Sequence, residues 1–444
     1  MSSAAQPNDL DSFFMPFTAQ KMFAKKPRML TGADGMYYFS GDRKLLDTCA
    51  GLWCVNAGHN HPKIVEAIQR QAGEMDYAPS FGFSHPLAFQ TASRLCAEMP
   101  NGIDHVFFSN SGSEAVDTAI KIAIGYQRAR GKTSKVKIIG RERAYHGVNI
   151  GGISVGGIGP NRKMFGLNIM PHVDHLPHTH DLEHQAFSKG QPEWGGHLAD
   201  ALERMVELHD AENIAAVIVE PVAGSIGVLV PPKGYLEKLR AICDKHDILL
   251  IFDEVITAWG RLGRTTAADY FGVTPDIITT AKGINNGAVP MGATFMRNAV
   301  FDAFMQGPEY ATAFCHGYTY TAHPLACAAA MAAQDVYRDE GLFEKADKMA
   351  AHWQDALHQL KDAKHVVDIR TLGLMAGIEI LPGDRKPGAE MSRVQEVSER
   401  LFWEHDMVCR YNGNTIAMSP PLIVEEEHVA QIVDKLKAVL DALA

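Results

Sequence analysis

Asp253 and Lys282 are the two residues of this sequence whose types and spacing could support covalent chemistry. Asp253 follows the apolar segment 248–252, and Lys282 stands 29 positions further on, close after the β-branched segment 276–280. Both segments are typical of buried strands, and open α/β sheets bind ligands at the carboxyl ends of their strands. A lysine amine can form a Schiff base with a carbonyl compound when its surroundings lower its pKa. The alternative is a buried ion pair, or two unrelated charges at strand ends.

A candidate anion site is the turn Ser109-Asn110-Ser111-Gly112-Ser113-Glu114-Ala115. The apolar strand 106–108 leads into this turn, and a helix with one apolar face leads out of it. Free backbone N–H groups and the helix dipole favour a bound anion at such a helix N-terminus. Ordinary helix capping is the alternative, because Ser and Asn are preferred there without any ligand.

The elements that must position these residues are buried strands alternating with helices between residues 60 and 300. This alternation predicts an α/β fold with a doubly wound, mainly parallel sheet. A chain of 444 residues also exceeds the usual size of a single domain, so we expect a second, smaller domain. The segment 171–184 carries five histidines but no cysteine, and we interpret it as a solvated loop rather than a metal site.

Composition narrows the class of protein and its compartment. The net charge of −10 argues against nucleic acid as a partner. No apolar segment approaches the roughly 18 residues that a membrane span requires. Seven scattered cysteines without a C-x-x-C motif are typical of a reducing compartment. With no signal peptide evident at the N-terminus, we expect a cytoplasmic protein.

Nearly the whole chain closely resembles the class III (subgroup II) aminotransferases, which are pyridoxal-phosphate enzymes of fold type I. The motifs that carry the resemblance are Asp253-Glu254-Val255, Trp259-Gly260-Arg261 and Lys282. The resemblance implies an N-terminal segment over residues 1–60 that packs with the small domain and the active site. It further implies a large cofactor-binding domain over 61–322 and a small α/β domain over 323–444.

The resemblance also implies which residues hold pyridoxal phosphate. Lys282 would form the Schiff base, and Asp253 would face the pyridine nitrogen and keep it protonated, so that the ring accepts electrons. Tyr145 would stack on one face of the ring and Val255 on the other. The remaining predicted cofactor contacts are Ser111, Gly112, Ser113, His146, Glu220, Ile256 and Thr321. Without the motif, core packing would be the simpler interpretation of Tyr145.

For substrate binding, the resemblance points to Trp53, Phe14, Ala223 and Arg410. A planar guanidinium suits bidentate binding of a carboxylate, although most arginines are solvated surface charges. For the aromatic residues, core packing is an equal alternative.

Thr321 bears on the oligomeric state. The resemblance implies that it reaches the phosphate of the neighbouring subunit's cofactor, which requires at least a homodimer with shared active sites and allows a tetramer. Capping of the Ala-rich helix that follows is compatible with the same position.

Within the family the sequence is similar to ω-amino acid–pyruvate transaminases, with β-alanine or a simple amine as donor. Relatives that use 2-oxoglutarate carry a Glu where this chain has Ser225, and a Gln where it has Ile256. Arg410 would then lack its acidic partner, so we expect pyruvate to be the preferred acceptor. The alternatives are another fold-type I enzyme, such as an aminomutase or decarboxylase, and a cofactor-binding protein without catalysis.

Overall fold

The computed structural model describes residues 10–383 and 391–443, so the first nine residues of the predicted N-terminal segment lie outside it. Its α-helices are α1 (Gln20–Lys25), α2 (Ala50–Trp53), α3 (Pro62–Glu74), α4 (Pro86–Cys96), α5 (Gly112–Ala129), α6 (Ile150–Val155), α7 (Gly159–Phe165), α8 (Leu182–Gln185), α9 (Ala201–His209), α10 (Tyr235–Lys245), α11 (Ala267–Phe271), α12 (Asn298–Phe304), α13 (Pro324–Asp339), α14 (Leu342–His358), α15 (Arg393–His405) and α16 (Glu426–Asp441). Short 3₁₀ helices span Gly166–Asn168, Gly196–Asp200, Ala211–Asn213, Lys282–Asn285 and Gln359–Asp362. No helix of the described residues is long and apolar enough to cross a membrane.

Strands form three sheets in the described part of the chain. They are β1 (Gly32–Asp34), β2 (Tyr37–Ser40), β3 (Arg43–Asp47), β4 (His105–Ser109), β5 (Lys137–Arg141), β6 (Val173–Leu176), β7 (Ile214–Val219), β8 (Leu249–Asp253), β9 (Ile277–Ala281), β10 (Gly292–Met296), β11 (Val366–Leu372), β12 (Met375–Ile380), β13 (Met407–Val408), β14 (Arg410–Asn412) and β15 (Thr415–Met418).

The central sheet has seven strands in the order β4-β10-β9-β8-β7-β5-β6. Strands β9, β8, β7, β5 and β6 run parallel, whereas β10 is antiparallel to both of its neighbours. Every residue of β7, β8 and β9 is buried, as expected for apolar strands covered on both faces. The predicted α/β fold with a mainly parallel sheet is confirmed.

Two four-stranded sheets complete the architecture. The first pairs the N-terminal strands β1, β2 and β3 with β13, which lies parallel to β3. The second is antiparallel, in the order β11-β12-β15-β14. The first and last parts of the chain therefore share one sheet, although about 360 positions separate them (Leu46 pairs with Met407). The domain boundaries proposed from the sequence stay a prediction.

The interpretation of segment 171–184 as a solvated loop is wrong. Residues Val173–Leu176 form the edge strand β6, which pairs with β5. His175 Nε2 lies 3.0 Å from the carbonyl oxygen of Gly156. The side chain of His180 is almost fully buried and contacts Glu379. Only one of the five histidines, His175, lies on this strand, and a strand of four residues with a single apolar residue at each end gives little period-two signal in the sequence.

Candidate active site

A cavity of about 300 Å³ opens at the carboxyl ends of β8 and β9, opposite the N-terminus of α5. Asp253 is the last residue of β8, and Lys282 follows directly after β9. Ten of the residues predicted to be catalytic or to bind the cofactor line this cavity, namely Ser111, Gly112, Ser113, Tyr145, His146, Glu220, Asp253, Val255, Ile256 and Lys282. Parallel strands end at the same edge of a sheet, which explains why residues far apart in sequence converge here.

Lys282 lies in the wall of the cavity with an unusual backbone conformation. Its φ of 53° is in the left-handed region, which non-glycine residues seldom adopt and which is enriched at functional sites. Burial lowers the pKa of the Lys282 amine, and the positive charge of Arg410 adds to this effect. A larger share of the amine is therefore neutral and nucleophilic near neutral pH.

Asp253 is held by three hydrogen bonds in a buried position. Its Oδ1 accepts from Thr279 Oγ1 at 3.1 Å and from the Val255 N–H at 3.2 Å. Its Oδ2 lies 2.7 Å from His146 Nδ1, so this nitrogen donates if the aspartate is ionised. The buried Nε2 of His146 then has no partner among the described residues. The network fixes one carboxylate at the floor of the cavity.

The N-terminus of α5 forms the anion-binding side of the cavity. Ser111 caps the helix by accepting a hydrogen bond from the Glu114 N–H at 3.2 Å. The Gly112 and Ser113 N–H groups are among those that a helix leaves without intrahelical partners. A Cβ on Gly112 would lie 2.8 Å from Val255 Cγ1, so the approach of these two elements requires glycine. Both capping and anion binding are therefore possible at this turn.

Tyr145 and Glu220 form the side of the cavity next to Asp253. The Tyr145 N–H donates to Glu220 Oε1 at 2.9 Å. Burial, together with the charge of Asp253, raises the pKa of the Glu220 carboxyl to about 7, although His146 opposes the shift. Tyr145 and Val255 both line the space between the helix N-terminus and Asp253.

These residues fit pyridoxal phosphate. The donor set matches each part of the cofactor: free N–H groups at a helix N-terminus for the phosphate, a buried carboxylate for the ring nitrogen and an amine of lowered pKa for the aldehyde. An aromatic and a β-branched side chain are available for the faces of the ring. Lys282, Asp253 and the α5 N-terminus are the groups that would hold the cofactor.

The predicted substrate residues do not line this cavity. Trp53 is buried in a cluster with Val222, Val228 and Ile256, and Ala223 is fully buried. Phe14, in contrast, is 90% exposed. Arg410 is half-buried, and its charge influences the pKa of both Lys282 and Tyr145, which places it near the cavity. Their roles in substrate binding remain predictions.

Thr321 lies outside the cavity as well. Its hydroxyl accepts a hydrogen bond from the Tyr318 N–H at 3.2 Å. The cap of α13 is His323, whose side chain accepts from the Leu325 N–H, so helix capping does not account for Thr321. Its predicted contact with a neighbouring subunit remains a prediction.

Two motif residues stabilise the fold around the site. Glu254 is fully buried and accepts hydrogen bonds from the N–H groups of Ala267 and Ala268, at the start of α11. Arg261, also fully buried, donates to the carbonyls of Ser419 and Pro420, which follow β15. Burial lowers its pKa to about 10. These residues fix the strand end that carries Asp253 against the C-terminal region.

Several residues that line the cavity were not predicted from the sequence, namely Cys54, Asn285, Val289, Pro290 and Met291. Asn286-Gly287 could have indicated a turn after Lys282, because both residues adopt a positive φ. A Cβ on Gly287 would lie 2.6 Å from Cys54 Cβ, which shows how closely the turn approaches the N-terminal region.

Comparison with known proteins agrees with this geometry. Residues 20–440 match the family model for aminotransferase class-III. The chain is 59% identical to an omega-aminotransferase of Caulobacter vibrioides and 47% identical to a beta-alanine–pyruvate aminotransferase of Pseudomonas aeruginosa, covering 98% of this chain in both cases and 98% and 97% of those proteins. Among solved structures, an (S)-enantioselective omega-transaminase from Thermomicrobium roseum superposes with a TM-score of 0.89, at 32% identity over 96% of this chain and 95% of that one.

Proposed function

The chain belongs to the class-III aminotransferases, and we propose that it transfers the amino group of an ω-amino acid or a simple amine to pyruvate. Its cofactor is pyridoxal phosphate, whose protonated ring withdraws electrons from the substrate carbon when bound. The observation that carries the proposal is the identity, over nearly the whole chain, of 59% to an enzyme named an omega-aminotransferase and of 47% to one named for transfer from beta-alanine to pyruvate. The cavity supplies an amine, a buried carboxylate and a helix N-terminus for the cofactor.

We propose the following division of labour among the residues. The Lys282 amine takes the proton from the amino-bearing carbon of the substrate and returns it to the cofactor side, acting as the general base and acid. Asp253 holds a proton on the ring nitrogen, and His146 orients Asp253 through their 2.7 Å hydrogen bond. The Gly112 and Ser113 amides bind the phosphate, while Tyr145 and Val255 enclose the ring.

The choice of acceptor is assigned to Arg410. Among the described residues its guanidinium has no ion pair, and the cavity wall on this side carries Ser225 rather than an acid. An arginine without an intramolecular carboxylate partner is available to bind the carboxylate of pyruvate or β-alanine. Ile256, also in the wall, leaves that side apolar.

The test is an assay of the purified protein with β-alanine and pyruvate, with 2-oxoglutarate as the competing acceptor. We expect stoichiometric L-alanine from pyruvate and much slower turnover with 2-oxoglutarate. Lys282→Ala is the matched inactive control. A decarboxylase or aminomutase would consume the donor without consuming pyruvate, and a non-catalytic protein would give no product.

We further propose a homodimer in which each active site uses both chains. The support is two exposed aromatic residues near Thr321, namely its sequence neighbour Tyr320 (57% exposed) and Phe81 (65%), whose ring lies against Gly317. Exposed apolar patches of this kind mark interfaces between proteins. Light scattering measures the mass of the assembly in solution, and either a dimer or a tetramer agrees with the proposal. Co-expression of Lys282→Ala with Thr321→Glu tests sharing, because only mixed dimers with shared sites regain activity.

We also propose that the enzyme works in the cytoplasm. All seven cysteines are free, and Cys49, Cys243 and Cys327 are buried among apolar residues. Burial raises the pKa of each of these thiols, which keeps them unreactive. Fractionation of the source cells, followed by detection of the protein, checks this assignment.

A further inference from the structure

The loop that carries Ser225 is a closed turn in the cavity wall. Ala223 and Leu229 exchange two backbone hydrogen bonds of 3.1 and 3.0 Å, and the Gly227 N–H donates to the Gly224 carbonyl at 3.1 Å. Between these ends, Ser225 faces the cavity. The loop, defined here as the 223–229 loop, follows β7 in sequence and thus belongs to the predicted large domain.

C-terminal strands hold this loop in place. Arg370 of β11 donates from Nε and Nη2 to the Gly227 carbonyl, at 3.1 and 2.9 Å. A Cβ on Gly227 would lie 2.9 Å from the Thr415 side chain on β15, and one on Gly377 of β12 would lie 2.4 Å from the Gly227 carbonyl. The loop therefore packs against the C-terminal sheet without free space between them.

The guanidinium of Arg370 is itself fixed by two acids. Its Nη1 lies 2.5 Å from Asp368 Oδ2 and 2.7 Å from Glu379 Oε2, and all three side chains are largely buried. Although burial opposes the shift, hydrogen bonds from His180 and Arg370 lower the pKa of Glu379 to about 2. His180, Asp368 and Glu379 could hold a metal ion by their spacing, but the Arg370 cation already occupies the space between them.

Asn412 holds the tip of the loop. Its Nδ2 donates to the Ser225 carbonyl at 2.6 Å. Asn412 stands two positions after Arg410 on β14, and side chains at i and i+2 of a strand project from the same face. The loop tip and the guanidinium of Arg410 are thus attached to one face of the same short strand.

We propose that Asn412 and Arg370 are positioning residues that set the distance between Ser225 and Arg410, and thereby select short keto acids over longer dicarboxylic ones. The inference rests on the proposed function, because it assigns carboxylate binding to Arg410. Releasing the loop allows Ser225 to move away from the strand, which widens the site. A wider site binds the carboxylate of pyruvate less well and admits 2-oxoglutarate more readily, while the chemistry at Lys282 is unchanged.

Asn412→Ala is the direct test, and Asn414→Ala is its matched control. Asn414 lies on the turn of the same hairpin, and no hydrogen bond of its side chain is found among the described residues. For Asn412→Ala we expect KM for pyruvate to rise about fivefold, the effect of one hydrogen bond, with kcat within about twofold. The ratio of kcat/KM for 2-oxoglutarate to that for pyruvate should rise by a similar factor.

Binding without turnover supplies an independent measurement. Propanoate carries a carboxylate but no amine or ketone, so calorimetry on the holoenzyme reports the carboxylate site alone. Its Kd should rise about fivefold in Asn412→Ala and stay unchanged in Asn414→Ala. Arg370→Lys, which keeps the charge but loses the two-point contact with Gly227, should shift the acceptor ratio in the same direction provided that its melting temperature shows a folded protein.

The outcomes separate the two proposals. If the parent enzyme forms no alanine from pyruvate, the proposed function fails. If the parent is active but Asn412→Ala keeps its acceptor ratio and its Kd for propanoate, the positioning role is refuted. Equal changes in Asn412→Ala and Asn414→Ala would also refute it, because the effect would then belong to the hairpin as a whole.

Discussion

Replacing Asp253 with Asn tests the electrostatic core of the site with very little change of shape. The amide oxygen can keep the hydrogen bonds that Oδ1 accepts from Thr279 and from the Val255 N–H. The new NH₂ group would face His146 Nδ1, which lies 2.7 Å from Oδ2. Histidine accommodates this change by moving its proton to Nε2, so we expect the variant to fold and to bind the cofactor.

The loss of rate follows from the same contacts. With the cofactor bound, the carboxylate would accept a hydrogen bond from the protonated ring nitrogen, whereas the amide would lack the negative charge that keeps this nitrogen protonated. A hydrogen bond to a charged group contributes about 1.5–3 kcal/mol, which corresponds to a loss of about 10- to 150-fold in rate if it acts only in the transition state. This is a lower bound, because the neutral ring also withdraws electrons less well.

Exchange of hydrogen at the amino-bearing carbon of β-alanine, followed in deuterated buffer, measures the affected step directly. Cofactor content per chain, from absorbance after alkaline release, shows whether binding is retained. Thr279→Val is the matched control, since it removes one neutral donor to the same carboxylate and should cost about fivefold or less. An Asp253→Asn rate within tenfold of the parent would show that the carboxylate has another role.

Three further predictions concern other residues of the site. Lys282→Ala should abolish turnover and the yellow colour of the bound cofactor; a normal absorbance spectrum and rate would exclude Lys282 as its attachment point. Arg410→Ala should raise KM for pyruvate and β-alanine about tenfold or more but spare a carboxylate-free amine, as the loss of a charged hydrogen bond predicts; equal losses for all three substrates would contradict this role. Burial raises the pKa of Glu254 to about 7 from an unfolded value near 4.5, so its neutral form stabilises the fold below about pH 4.5 and this contribution, about 3 kcal/mol, is lost as the pH rises through 7. The melting temperature of Glu254→Gln should therefore lie furthest below that of the parent protein at pH 5 and closest to it at pH 8. A difference in melting temperature that does not change with pH would refute the raised pKa of Glu254.

The sequence predicts that Asp253, Lys282 and the N-terminus of α5 lie together, because local patterns define each of them. Apolar strands that end at Asp253 and near Lys282 place both residues at one edge of the sheet, whatever the intervening loops do. The small-residue turn before α5 likewise indicates an anion site from neighbouring residues alone. The convergence of these three segments in one cavity required only the rule that parallel strands share an edge.

The rest of the cavity wall could not be predicted in the same way, because it is assembled from distant segments. Cys54 lies in the cavity wall because Gly287, which is more than two hundred positions later in the sequence, packs closely against it. Arg370 looks like any charged residue on a strand, and its two-point contact with Gly227 depends on how two regions pack. The resemblance named Arg410 but gave no information on what holds it.

The sheet shared by β3 and β13 has a consequence for recombination between related enzymes. Met407 and Val408 pair with Leu46 and Asp47, and the next residues on each side lead to Cys54 in the cavity wall and to Arg410. A chimera that takes both termini from one parent preserves this pairing. It transfers the segments that carry Cys54 and Arg410 together onto the central sheet of another parent. A crossover that exchanges a single terminus instead pairs a β3 from one parent with a β13 from the other, and these two strands did not evolve together. Libraries of chimeras in which both termini are exchanged together should therefore retain more folded and active members.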